Sequence, residues 1–350
     1  ERGDTVAVLP SSRYRKGTWH TLAVFLAEER AKGADSAFAP WIAMLPRDYS
    51  ERPATWEPEF LREHLNGSGF PRHVAEHMRL IREEFDTQPH GSVSWEEYRW
   101  ARDAAVTRTM ATGAGGWSGA AHSMFFALGD LTNHGDRQNV RLSVDKPDTA
   151  AEALVITAVR RVLPGEELLN SYINLDSASQ RINTWQSLDT WGFVTPRTRA
   201  VRKTAELNLT AASLRSAHAQ AFGAEATLRP RAFRLSDTAQ EVEHHRHLLA
   251  FVRRAAAQAA TGSKWAQDAA AMLLGRLLLE RALAGYPTTI EEDTALLAGP
   301  DHADGRVTAL IELRRDEKIV LQWWRQRFEM AEKHARSMQD EEPFDPSYIS

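Results

Sequence analysis

Runs of apolar and polar positions mark a β-rich stretch in the middle of the chain, between Leu128 and Val194, and an Ala-rich helical part from Thr195 on. Leu154-Val155-Ile156-Thr157-Ala158-Val159 is apolar and β-branched over its whole length, the signature of a buried strand. Pro164-Gly165 then supplies the two central positions of a type II turn. The spacing predicts that Glu167 to Tyr172 returns as the second strand of a hairpin, leaving the Tyr172 phenol at a strand end, free to face a pocket. Near the start, Glu1 to Asp4 reads as a turn and Thr5 to Leu9 as the strand leaving it.

Helical periodicity fills most of the rest. Thr18 is placed to cap a helix through Arg30, with Leu22, Phe25 and Leu26 on its inner face. Phe60 to Phe85 is charged and mostly helical, and Trp95 to Arg108 forms a helix buried on the side of Trp95, Tyr98, Trp100, Ala101 and Ala105. Phe38 and Trp41 read as core aromatics. The Gly-rich stretch from Ala111 to Ala121 lacks the spacing of a phosphate cradle and reads as a loop. From Thr195 on, the chain is Ala-rich, with helices over Val242–Ala259, Lys264–Ala284 and Val307–His334 and an acidic tail after Arg336.

Composition narrows the function classes. The 350 residues are 43% hydrophobic and 26% charged, as in ordinary globular proteins, and the length suggests two domains or three. A net charge of −4 without a long basic run argues against nucleic acid as a partner. No apolar stretch approaches the ~20 residues of a membrane span, and the N-terminus lacks signal- or transit-peptide character. With no cysteine, disulfides and thiolate zinc sites are excluded. His73-Val74-Ala75-Glu76-His77 matches a short zinc-protease motif, but no third ligand stands out and a solvated helix face is the plainer reading. In His244-His245-Arg246-His247 adjacent imidazoles would point apart on a helix, so no metal is expected.

The chemistry concentrates between Leu128 and Val194. An ordered set stands there: Asp130-x-x-Asn133-His134, Gly165-Glu166-Glu167, Tyr172 and Gly192-Phe193. Trp95-Glu96-Glu97-Tyr98-Arg99-Trp100-Ala101 leading to Arg108, the segment Ser36 to Pro46, and Tyr286-Pro287-Thr288-Thr289-Ile290-Glu291-Glu292-Asp293 accompany it. This pattern resembles the SET-domain protein methyltransferases, in the branch of the Rubisco large-subunit lysine methyltransferase and the actin-histidine methyltransferase. The resemblance runs from about Arg2 to about Met330.

The resemblance implies an α+β fold: a SET fold of short curved β-sheets with a knot-like C-terminal region and a helical insertion, plus an all-α C-terminal domain. Its expected boundaries are 1–195 for the SET domain with an insertion at about 45–120, 196–335 for a helical substrate-docking domain, and 336–350 for a flexible tail. It implies S-adenosylmethionine as cofactor and a protein lysine side chain as substrate, in a cytoplasmic monomer, with nucleus and plastid left open. Tyr172 is the implied catalytic residue, its hydroxyl beside the transferring methyl. Arg108, Asp130, Asn133, His134, Tyr172 and Phe193 would bind the cofactor, with Arg108 suited to its carboxylate. Met110, Gly129 and Trp191 would border the substrate. Trp191 and Phe193 serve equally as channel walls or as core.

Such a reaction is chemically reasonable without a metal. Moving a methyl from a sulfonium to an amine needs a neutral amine, and neutralising lysine at pH 7 costs about 4–5 kcal/mol. An aromatic channel lowers that cost by disfavouring the ammonium, and alignment supplies the rest. Met110 stands where the histidine-methylating relative has an Asn that contacts imidazole, and Gly129 stands where it has Trp, so lysine is the expected target. The resemblance is incomplete in three places. The family's Gly-x-Gly strand has no counterpart before Glu1, where a segment is expected to be missing. Ile173 replaces a glycine, and the stretch after Tyr172 is longer than in relatives, which bears on any cofactor contact near Asn183. A protein-histidine methyltransferase and a non-catalytic SET-like protein-binding module are the alternatives.

Overall fold

The computed structural model describes residues 5–9, 14–112, 122–126, 129–145, 153–172, 183–201, 203–224, 228–236, 242–299 and 304–338. In chain order the strands are β1 (Thr5–Leu9), β2 (Tyr14–Gly17), β3 (Met110–Thr112), β4 (His122–Phe126), β5 (Asn133–His134), β6 (Val140–Asp145), β7 (Ala153–Ala158), β8 (Leu169–Asn170), β9 (Thr204–Leu209) and β10 (Arg231–Ser236). The helices are α1 (Trp19–Ala31), α2 (Ala39–Ile42), α3 (Pro58–His64), α4 (Phe70–Thr87), α5 (Trp95–Arg108), α6 (Thr184–Trp191), α7 (Pro196–Val201), α8 (Ala211–Phe222), α9 (Val242–Ala256), α10 (Lys264–Ala284), α11 (Ile290–Ala298) and α12 (Gly305–Ser337). Among the described residues, no helix is long and apolar enough to cross a membrane, and no group of three His, Asp or Glu is placed to hold a metal ion.

The residues form two compact units. The first comprises Glu1–Thr55, Glu76–Ile182 and Gln186–Arg197, and the second Trp56–Ala75, Asn183–Trp185 and Thr198–Ser350. Trp56–Ala75 falls in the second of these units.

In the first unit β7 is the centre of a three-stranded antiparallel sheet, with β1 on one side and β6 on the other. Leu154, Ile156 and Ala158 are buried, as their apolar pattern requires. The turn at Pro164-Gly165 is present: Gly165 has φ +81° and Glu166 N–H donates to Leu163 O at 3.0 Å. The hairpin expected across it is not. Only Leu169 and Asn170 form a strand, and β8 pairs in parallel with β5 rather than with β7. The cause is Asn139, which is fully buried. Its side-chain amide donates to Glu167 O at 2.7 Å and its side-chain oxygen accepts Leu169 N–H at 2.7 Å. Those backbone groups are therefore occupied before a returning ladder could claim them.

A helical layer lies on the same unit. Ser94 opens α5 with a capping box to Glu97, and Thr18 caps α1 by accepting Thr21 N–H. Leu22, Ala23 and Leu26 of α1 share a core with Tyr98, Ala101 and Ala105 of α5 and with Trp41 and Tyr49. Arg52 is buried against Asp103 and donates to Asp189 O through Nε and Nη2.

The second unit is mainly helical, built on α10 and the 33-residue α12, whose apolar faces meet around Met272, Leu274, Trp324 and Phe328. It also contains an antiparallel pair, β9 with β10, which the Ala-rich pattern did not suggest. His73, on α4, packs on Trp185 at 5.6 Å between ring centroids. In the first unit His77 lies 2.8 Å from Asp189, so the two histidines of the short metal-like motif have separate structural roles. The side chains of His244 and His245 and the Gly-rich stretch 113–121 lie outside the described residues.

Candidate active site

A 3-10 turn over Gly129–Leu131 sets up the motif that follows. Thr132 Oγ1 donates to Gly129 O at 3.0 Å, closing the turn, and Gly129 and Asp130 are buried in it. The chain then runs straight into β5. Parallel register pairs Asn133 with Leu169 and His134 with Asn170, and Gly135 N–H donates to Asn170 O at 2.9 Å. The register delivers Tyr172, two residues past β8, beside His134. Tyr172 N–H donates to His134 Nδ1 at 3.1 Å and the phenol donates to Thr132 O at 2.7 Å. Tyr172 is thus held at both ends by residues of the motif it was expected to join.

Aromatic rings close round it. His134 and Tyr172 have centroids 5.4 Å apart, His134 and Phe193 stack at 5.4 Å, Tyr172 and Trp191 lie at 5.8 Å, and Trp191 and Phe193 at 6.1 Å. Trp191 is the last residue of α6. Gly192, with φ +80°, ends the helix by donating to Leu188 O, and it turns the chain so that Phe193 comes back beside Trp191. A Cβ there would stand 2.5 Å from Glu51 O, so the turn needs glycine twice over. The buried hydroxyl of Ser187 donates to Phe193 O and fixes the return.

Burial pushes the Tyr172 phenol up to about 12; Arg108 pulls it down and Asp130 and Glu167 push it up. At neutral pH it is a hydroxyl, not a phenolate. Arg108 is therefore within electrostatic reach. Its Nη1 donates to Asp130 O at 3.3 Å and lies 3.8 Å from Asp130 Oδ2. The Asp130 carboxylate accepts Trp41 Nε1 at 3.1 Å to each oxygen. Arg108 Nε is buried and without a hydrogen-bond partner among the described residues, and so is the hydroxyl of Tyr49. The two are neighbours: burial pushes the Tyr49 phenol up to about 12 and Arg108 pulls it down. A guanidinium beside a buried hydroxyl, the two already within hydrogen-bonding reach of each other, suits a carboxylate.

Of the residues expected at the site, His134, Tyr172, Trp191 and Phe193 form one cluster, and Arg108 and Asp130 a second beside it. Asn133 is exposed and donates to Glu167 Oε1 at 2.6 Å. Gly129 is buried in the turn and carries no side chain toward a ligand. Met110 is described only as backbone, in β3 opposite Met124. Ile173 lies outside the described residues, and Asn183 is buried with the second unit. Thr132, Tyr49 and Trp41 were missed. Nothing local marks Tyr49, and a Trp beside Phe38 reads first as packing.

The chain is similar to known structures throughout. The SET domain of LSMT bound to lysine and AdoHcy matches with a TM-score of 0.70 at 17% identity, over 97% of this chain and 86% of that one. Rubisco LSMT bound to sinefungin and monomethyllysine matches at 0.66 and 19%, over 97% and 87%. Rubisco LSMT bound to AdoMet matches at 0.64 and 19%, over 96% and 84%. No curated protein matches by sequence. Residues 222–321 match the family model of the Rubisco LSMT substrate-binding domain. The chain thus has the SET fold of Rubisco LSMT, with a helical C-terminal region that is similar in sequence to that protein's substrate-binding domain.

Proposed function

We propose that the chain is an S-adenosylmethionine-dependent lysine methyltransferase acting on a non-histone protein. The observation that carries this reading is the pinned Tyr172 inside the ring of His134, Trp191 and Phe193. A ring of aromatic faces disfavours a strongly hydrated ammonium and so helps an incoming lysine arrive as the neutral amine. The Tyr172 hydroxyl spends its proton on Thr132 O, leaving its lone pairs to orient a methyl group and the amine behind it. Its raised pKa excludes a phenolate base at neutral pH, and none is needed.

The donor fits the second cluster. Arg108 Nε and the Tyr49 hydroxyl would take the carboxylate of S-adenosylmethionine, and the cofactor would supply the electrophilic methyl. The complexes of the structural relatives support the same donor, since LSMT is bound to AdoHcy with lysine and to AdoMet. The match to a substrate-binding domain supports a protein rather than a free amino acid as acceptor. Met110 in place of a hydrogen-bonding side chain favours lysine over histidine.

Calorimetry with S-adenosylmethionine and with S-adenosylhomocysteine tests the donor site directly. Methyl transfer from labelled cofactor into cell-lysate proteins, with the modified residue located by mass spectrometry, tests the acceptor. Binding and label on lysine are expected. Absence of any binding would leave a protein-binding module, and label confined to histidine would reassign the acceptor.

A further inference from the structure

We propose that Asp136 is a positioning residue for Tyr172, acting through His134: the Asp136 carboxylate and the Tyr172 amide hold the imidazole at its two opposite nitrogens. Hydrogen counting leads there. His134 Nδ1 accepts Tyr172 N–H, so Nδ1 carries no proton and the neutral ring carries its proton on Nε2. Nε2 lies 3.4 Å from Asp136 Oδ1, long for a hydrogen bond but within reach of a charge–dipole attraction. That carboxylate is itself held, because Thr195 Oγ1 donates to the same Oδ1 at 2.7 Å.

Packing cannot supply this orientation. Phe193 stacks on His134 with planes 19° apart, which fixes the plane of the imidazole. A half-turn of the ring in that plane's own slot would keep the stack and exchange Nδ1 for a carbon. The Tyr172 amide would then lose its acceptor. An acidic oxygen on the far edge makes the two orientations unequal, since only one presents an N–H to it. Thr195 lies two residues past Phe193, so one short segment supplies both the face that stacks and the hydroxyl that steadies Asp136. The inference deepens the proposed active site, and its consequence for catalysis rests on that reading; its consequence for the Tyr172 amide does not.

The test follows the Tyr172 amide by relaxation-optimised NMR hydrogen exchange in the whole chain, with the Gly135 amide, bonded to Asn170 O, as the neighbouring reference. In Asp136→Ala the protection of the Tyr172 amide should fall roughly 2- to 10-fold, the range of one modest hydrogen bond, with Gly135 unchanged. Asp136→Asn keeps an oxygen for Nε2–H and should restore it. An unchanged Tyr172 amide in Asp136→Ala overturns the proposal, as does equal loss at Gly135 or failure of the Asn variant to restore protection. If the chain methylates, Asp136→Ala should also lower kcat by about 10- to 100-fold through misplacement of the hydroxyl, with cofactor affinity and KM little changed and the Asn variant recovering activity. A wild type without activity would count against the enzyme reading and leave the amide result standing.

Discussion

Glu317 should make the stability of the chain fall as the pH rises. Its side chain is fully buried on α12. Oε1 accepts Ser68 Oγ at 2.9 Å and Trp185 Nε1 at 2.7 Å, and Oε2 accepts the Tyr286 hydroxyl at 3.0 Å. All three donors are neutral. Burial pushes the carboxyl up to about 8 from its ordinary 4.5; the three hydrogen bonds pull it down, and Glu206 adds to the push. Below pH 4.5 both folded and unfolded chains hold this proton. Between pH 4.5 and about 8 the unfolded chain releases it and the folded chain keeps it, so stability is lost through that window and levels off above it. At 1.36 kcal/mol per pKa unit the loss is on the order of 5 kcal/mol. Glu317→Gln tests this without emptying the site: its amide oxygen still accepts from Ser68 and Trp185, and its amide can donate to the Tyr286 oxygen. Thermal unfolding of wild type and variant should nearly coincide at pH 5. At pH 9 the variant should melt roughly 10 °C higher or more, taking about 2–4 °C per kcal/mol for a unit of this size. Asp316 and Glu312 are also raised by burial and act in the same direction, but they are common to both proteins and cancel in the difference. Parallel melting curves against pH would refute the reasoning.

Tyr49→Phe removes a buried hydroxyl that interacts with Arg108 and should weaken S-adenosylmethionine binding by about 1–3 kcal/mol in calorimetry. Gly192→Ala should destabilise the first unit by about 1–3 kcal/mol from backbone strain alone, with more from the contact with Glu51 O, as measured by urea denaturation. Asp293→Asn should cost about 3–5 kcal/mol, because Asp293 is fully buried between Arg314 at 2.7 Å and Lys318 at 2.6 Å and the change leaves two buried cations without their anion; denaturant unfolding at fixed pH reads it.

Which side chains come together was more legible in the sequence than the sheet that carries them, and the reason is physical. His134, Tyr172 and Phe193 were singled out by their order along the chain and do come together, although the strands between them are too short to show a period. β5 and β8 are two residues each, so no alternation could announce them. Their pairing is set instead by the buried amide of Asn139, a contact that reaches Leu169 across thirty positions of sequence and leaves no local trace. The turn of the hairpin expected from Leu154 to Tyr172 formed, but its return strand is held by Asn139 and by β5 instead of by β7. β10 is a different case. Phe233 and Leu235 are buried and Arg234 is exposed, so a period of two was present in the chain, hidden by the Ala-rich helices on either side. Trp41 was read as core and is core, at 3% exposure, yet its indole N–H holds the carboxylate beside Arg108. A buried Trp must place that one donor somewhere, and here it lies on the carboxylate of Asp130. Tyr49 obeys the same rule from the other side of the guanidinium: its buried hydroxyl interacts with Arg108, so two core aromatics settle their polar atoms on the Arg108–Asp130 pair.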